Sequence, residues 1–160
     1  MNPTLAVNNE SFNNLLSRWQ FEPIVYTYIN ELKYLKDSFK DIKFGLIEEG
    51  TKEYETHFGY SQRKDGIEYI KLNPVKVTDK NASFVICHEI GHVELKLSGF
   101  STLIRPSMSK NDKDYEHWEM VCSTIHSTLS DYLINKKLER KYNFRVNSLT
   151  LEIIVLSLQY

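Results

Sequence analysis

Apolar residues recur along this chain at two periods, and each change of period marks an element. Asn8 and Asn9 precede Phe12, Leu15, Leu16 and Trp19, a spacing that fits a short capped helix. Val25, Tyr28, Leu32, Leu35 and Phe39 then alternate steps of three and four. That rhythm predicts a second helix from Ile24 to near Asp41, with Pro23 at its first position, where the missing N–H has no partner to lose. An aromatic and leucine stripe of this kind belongs to a core.

The period next drops to two. Lys43 to Glu48 reads as a short strand ended by Gly50. Tyr54, Thr56, Phe58 and Tyr60 alternate with Glu55, His57 and Gly59 as a second strand, and Ile67 to Leu72 forms a third. Ser61 to Gly66, closing on Asp65-Gly66, reads as the turn of an antiparallel hairpin between the last two. His57 falls on the more polar face of its strand and reads as solvated.

Helical spacing returns after Asn73-Pro74. In Ser83 to Leu97, Ile86, Ile90, Val93 and Leu97 form one apolar stripe, Asp79 or Asn81 can cap the start, and Gly99 is a stop signal. Phe84 and Leu95 lie on the other side, so this helix is expected to pack on both faces. An irregular stretch from Phe100 to Lys113 follows, a candidate rim for a cleft. Asp112 or Asp114 then opens a helix in which Trp118, Val121, Cys122, Ile125, Leu129, Tyr132 and Leu133 make a wide apolar face. Ser130-Asp131 is a candidate break, with Tyr132 to Tyr142 as a further basic helix, and the apolar tail from Leu149 to Leu158 is expected to be buried. The pattern as a whole predicts an α+β domain: N-terminal helices, a three-stranded sheet containing an antiparallel pair, a central helix and C-terminal helices.

Composition narrows the function. With 160 residues and 41% hydrophobic content, one domain with a real core is expected. A net charge of -1, from 20 basic and 21 acidic residues, provides no global attraction for nucleic acid. Lys136, Lys137, Arg140 and Lys141 read as a solvated basic face. Two cysteines, Cys87 and Cys122, are too few for a disulfide framework, and both read as small packing residues. Met1 to Glu10 is polar, without a secretory signal, and no apolar run approaches a bilayer span. A cytoplasmic, non-membrane setting is the expectation.

The candidate chemistry lies on the central helix. His88, Glu89 and His92 stand in the order His-Glu-x-x-His. One helical turn separates the imidazoles, so both can grip one metal ion, and the adjacent carboxylate can act as general base toward a water. A catalytic zinc site needs one more protein ligand. Glu116, His117, Glu119, His126 and Asp131 are the candidates. On an unbroken helix Glu119 and His126 share the edge of the apolar face while Asp131 points elsewhere, which favours Glu119, with His126 or Asp131 as the alternative ligand or supporting neighbour.

These residues carry a resemblance. Tyr69 to Asn73, Ser83-Phe84, His88-Glu89-Ile90-Gly91-His92 and then Glu119 with Cys122, Ile125, His126 and Leu129 together resemble the ImmA/IrrE family, small zincin-like zinc metallopeptidases often found in bacteria and their mobile elements, phages included. The resemblance covers about Tyr69 to Leu129. Cys122, Ile125 and His126 depart from that family's usual residues, and Asp131 or His126 as third ligand would place the chain in another zincin branch. The resemblance implies zinc on His88, His92 and Glu119, Glu89 as the catalytic base, and a protein or peptide substrate such as a transcriptional repressor or an antitoxin. The competing reading is a non-catalytic, zinc-containing regulatory or protein-binding module.

Overall fold

A computed structural model describes residues 9–32, 41–100 and 108–144 of the chain. Their elements run α1 (Asn9–Leu16), α2 (Pro23–Leu32), β1 (Asp41–Leu46), α3 (Lys52–Thr56), β2 (Gly59–Lys64), β3 (Ile67–Leu72), α4 (Ala82–Leu97) and α5 (Tyr115–Tyr142). The class is α+β, as the two periods predict. Pro23 opens α2 as expected. The end of the second helix beyond Leu32, most of the irregular stretch after Phe100 and the apolar tail from Leu149 to Leu158 lie outside the described residues.

The sheet has the order β1-β3-β2 and is mixed. β1 pairs with β3 in parallel, from Asp41 opposite Ile67 to Leu46 opposite Leu72, and β2 pairs with β3 antiparallel, from Gly59 opposite Leu72 to Lys64 opposite Ile67. Alternate residues of β3, namely Glu68, Ile70 and Leu72, are buried. On β1, Ile42 and Phe44 stand beside Glu68 and Ile70 in the register and are buried with them. Helices cover this face: the rings of Phe12 and Phe44 lie 4.9 Å apart, and α4 brings Ile86, Ile90 and Val93 into the same core.

Two strand expectations change. The alternation that starts at Tyr54 does not open as a strand, because Thr51 caps a short helix there, its side-chain oxygen accepting from the Tyr54 N–H at 3.2 Å, with Glu53 and Glu55 at the favourable positive end of that helix. The second strand therefore begins only at Gly59 and continues through the supposed turn. Asp65 and Gly66, with φ of 53° and 81°, make the two-residue connection alone. The expected hairpin exists with its register moved along the chain.

The start of α4 is stitched to the first helices rather than capped as expected. Asn81 accepts the Thr78 N–H at 2.8 Å, Asp79 accepts the Gln20 N–H at 2.9 Å, and Ser83 Oγ accepts the Glu22 N–H at 2.8 Å. Both cap candidates thus serve the loops, and no side chain of Asn81 bonds the helix N-terminus. Buried Asn73 holds the preceding loop, donating to the carbonyls of Tyr54 and His57 and accepting from the N–H groups of Val75 and Lys76. Gly99, at φ 82°, follows the last turn of α4.

α5 is a single helix of 28 residues, with no break at Ser130-Asp131. Within the helix the Ser130 hydroxyl donates to the His126 carbonyl one turn back, at 2.8 Å. Its C-terminal half is tied down by Lys137 to Glu94 and by Lys141 and Tyr142 to Glu31. Tyr28 joins this network by donating to Glu94 at 2.6 Å, and burial together with that carboxylate pushes its phenol pKa well up. Three of the four residues in the basic run therefore meet carboxylates, Lys136 doing so with Glu139. Among the described residues no helix is long and apolar enough to cross a membrane.

Candidate metal centre

Helical geometry alone sends His88 and His92 off the same side of α4. Their Nε2 atoms face each other at 3.1 Å, with the rings 4.8 Å apart and nearly perpendicular. α5 packs antiparallel against this side, since His88 meets Asn135, His92 meets Asp131 and Phe100 meets His126. Asp131 Oδ1 lies 3.3 Å from His88 Nε2 and 3.1 Å from His92 Nε2. Among the described residues, these three are the group of His, Cys, Asp or Glu side chains close enough to share one ion.

Protons alone serve this triangle poorly. Three short edges need three protons, but an ionised Asp131 brings none and each Nε2 carries at most one. Asp131 is indeed held ionised: burial would raise its pKa, yet the hydrogen bonds and charges of His88 and His92 outweigh burial and hold it well below the usual carboxylate range. At His88 burial opposes a charge, and Asp131, Glu89 and Asn135 overcome it, so its pKa lies above the ordinary imidazole value. A field this negative suits a cation. Four ligands at zinc bond lengths of 2.0–2.1 Å stand about 3.3 Å from one another, and the three observed edges, 3.1, 3.3 and 3.1 Å, agree with that. The residues fit a zinc ion.

Asn135 completes the site from below. Its Oδ1 lies 3.2 Å from His88 Nδ1, so His88 can donate there and leave Nε2 bare toward the triangle. Phe84 covers the same ring at 5.8 Å. His92, at 25% exposure, is the most exposed of the three side chains, beside 16% for His88 and 15% for Asp131.

The structure does not bring Glu119 to this group. It is exposed on the first turns of α5, and its carboxylate accepts from the Tyr115 hydroxyl at 3.3 Å. Asp131, the alternative, stands in its place, because the part of α5 that touches α4 is the C-terminal half and the face turned inward carries Ser130, Asp131, Ile134, Asn135 and Leu138. His126 is not among the three. Its ring lies 5.3 Å from that of Phe100, tilted by 39°, and its Nε2 is buried without a hydrogen-bond partner among the described residues. Glu116 and His117 are exposed, and exposed His57 pairs with the Thr56 hydroxyl. Cys87 is fully buried, which pushes its thiol pKa up, in keeping with a packing role.

Glu89 is buried at 6% exposure, on the side of α4 turned to β2. A Cβ added to Gly59 would come within 3.0 Å of its Cγ, so the bare backbone at the start of β2 is what leaves room for it. Its charge acts on His88 and on Lys96. Lys96 donates to the carbonyl and hydroxyl of Ser61, each at 3.2 Å, and sits 3.9 Å from Glu68. Arg63 Nε is 2.6 Å from Glu68 Oε1, an ion pair, and neither oxygen of the buried Glu68 has a hydrogen-bond partner among the described residues.

No family model, no curated protein and no solved structure matches this chain. The site therefore rests on its own geometry. Asn135 was the residue that sequence reading passed over. Its signal is present: Asp131 and Asn135 are one turn apart on α5, as His88 and His92 are on α4, so two antiparallel helices can present both pairs to each other.

Proposed function

We propose that this chain is a zinc-dependent peptidase whose ion is held by His88, His92 and Asp131 and whose general base is Glu89. The observation that supports it is the triangle of two imidazole nitrogens and a carboxylate oxygen, with edges of 3.1 to 3.3 Å, next to a glutamate in sequence. Zinc bound there supplies Lewis-acid activation of a water and of a peptide carbonyl. Glu89 would be the group that accepts the water proton and returns it to the departing amine. Asn135 orients His88, and Asp131 offsets the charge of the ion. β2, which among the described residues has a strand neighbour on one side only and starts against Glu89, is the edge along which an extended peptide would pair. The substrate class is a cytoplasmic protein, such as a regulator, presented as an extended segment.

The burial of Glu89 favours a second reading, a zinc-holding module that binds a partner and cleaves nothing. One experiment separates the two. Purified protein is assayed for zinc by elemental analysis and for cleavage of a fluorogenic peptide library, parent against Glu89→Gln. The peptidase reading expects about one zinc per chain in both and at least a ~100-fold loss of kcat/KM in the variant. A parent that holds zinc and cuts nothing selects the binding module, and a variant that cuts as well as the parent removes Glu89 as the base.

A further inference from the structure

Gly91 lies in the middle of α4, beside His92. Among residues other than proline, glycine is the poorest helix former, so its presence there asks for a packing reason. That reason is Ile134 of α5. A Cβ built on Gly91 would stand 2.6 Å from Ile134 Cγ2, 2.9 Å from its Cγ1 and 3.3 Å from its Cβ. Non-bonded carbons settle at about 3.5–4.0 Å, so a single added methyl would push the helices apart by on the order of 1 Å. Ile134 cannot swing aside, because the clashing atoms are its branch at Cβ and it is buried at 2% exposure.

Ile134 is three residues after Asp131 and directly precedes Asn135, so whatever moves it moves the third ligand and the partner of His88 together. Metal–ligand distances tolerate only about 0.2 Å. The displacement is several times that tolerance. We infer that Gly91 is a positioning residue for the metal centre: having no side chain, it lets α5 settle on α4 until Asp131 reaches the two histidines. The inference rests on the metal-site reading above, and it says why the third ligand comes from this part of α5 and not from Glu119.

The test measures zinc affinity by competition with a chromophoric chelator, on full-length protein whose helix content is checked by circular dichroism. The variants are Gly91→Ala alone and combined with Ile134→Val or with Ile134→Ala. Gly91→Ala is expected to weaken zinc roughly 10–100-fold, the range seen when support of a metal ligand is disturbed. Valine keeps both clashing Cγ atoms, so the Val double variant stays weak. Alanine removes both, so the Ala double variant recovers most of the affinity. Gly91→Ala binding zinc as tightly as the parent, equal recovery by both double variants, or recovery by neither overturns the inference. If Gly91→Ala alone does not fold, the two double variants decide by the same pattern. A parent that binds no zinc overturns the metal-site reading and this inference with it, whereas a zinc-binding parent with an unaffected Gly91→Ala overturns this inference only.

Discussion

α4 is 16 residues long and buries nine of them, whereas α5 is 28 residues long and buries four, Ser130, Ile134, Asn135 and Leu138, all in its C-terminal half. The apolar stripe that made α5 readable as a helix is mostly not what it packs with: Trp118, Ile125, Leu129, Tyr132 and Leu133 are exposed. α4 shows its core face in its own sequence. α5 meets α4 through a narrower strip of mixed polarity, and that strip holds the proposed third ligand, because Asp131 and Asn135 flank Ile134 there. A hydrophobic pattern reports that a helix has a face, and the partner helix determines which part of it is used.

The sharpest way to break this contrast is to remove one carboxylate from each half of α5. Asp131→Ala should abolish stoichiometric zinc binding, since two histidines alone leave the ion without its third protein ligand. Glu119→Ala should retain full zinc, because Glu119 is bonded to Tyr115 and exposed. Elemental analysis of dialysed protein reads both. The reverse result would transfer the metal site to the N-terminal half of α5 and dissolve the comparison.

Two leucines extend it to stability. Leu138 is fully buried between α5 and the core, and Leu138→Ala should cost about 2–5 kcal/mol in urea unfolding. Leu129, on the exposed stripe, should cost within about 0.5 kcal/mol on the same change. A Leu129→Ala penalty as large as that of Leu138→Ala would show that the stripe is covered in solution.

How far the fold could be read from the chain follows the same division. α4, β3 and the Pro23 start of α2 were legible because periodicity, a stop glycine or a proline acts locally. α3 was not, since Tyr54, Thr56 and Phe58 alternate like a strand while the Thr51 cap and the acidic first turn argue for a helix. β2 was misplaced because an edge strand with exposed Gln62, Arg63 and Lys64 shows no apolar alternation. The parallel pairing of β1 with β3 depends on a crossover that no local pattern encodes. At the candidate site, the histidine pair is one turn of one helix and so was readable, but which side chain of α5 joins it depends on how two helices are rotated against each other. That rotation is visible only once the fit of Gly91 against Ile134 is known.

Asn135 gives the smallest and most specific expectation, because it touches no ion and acts only through His88. If its Oδ1 accepts from His88 Nδ1, it fixes the tautomer that leaves Nε2 bare and makes that nitrogen a better donor. Asn135→Ala should then weaken zinc by roughly 10–100-fold, with about one zinc still bound per chain at saturation. Asn135→Asp keeps an acceptor at the same distance and makes it anionic, so it should match the parent or bind more tightly. A role in helix packing alone would predict the opposite order, since a buried carboxylate disturbs the α4–α5 contact more than a small methyl does. Chelator competition at constant pH, read beside the urea midpoint of each variant, separates the two: zinc affinity that follows the acceptor and not the stability ties the C-terminal half of α5 to the chemistry of α4.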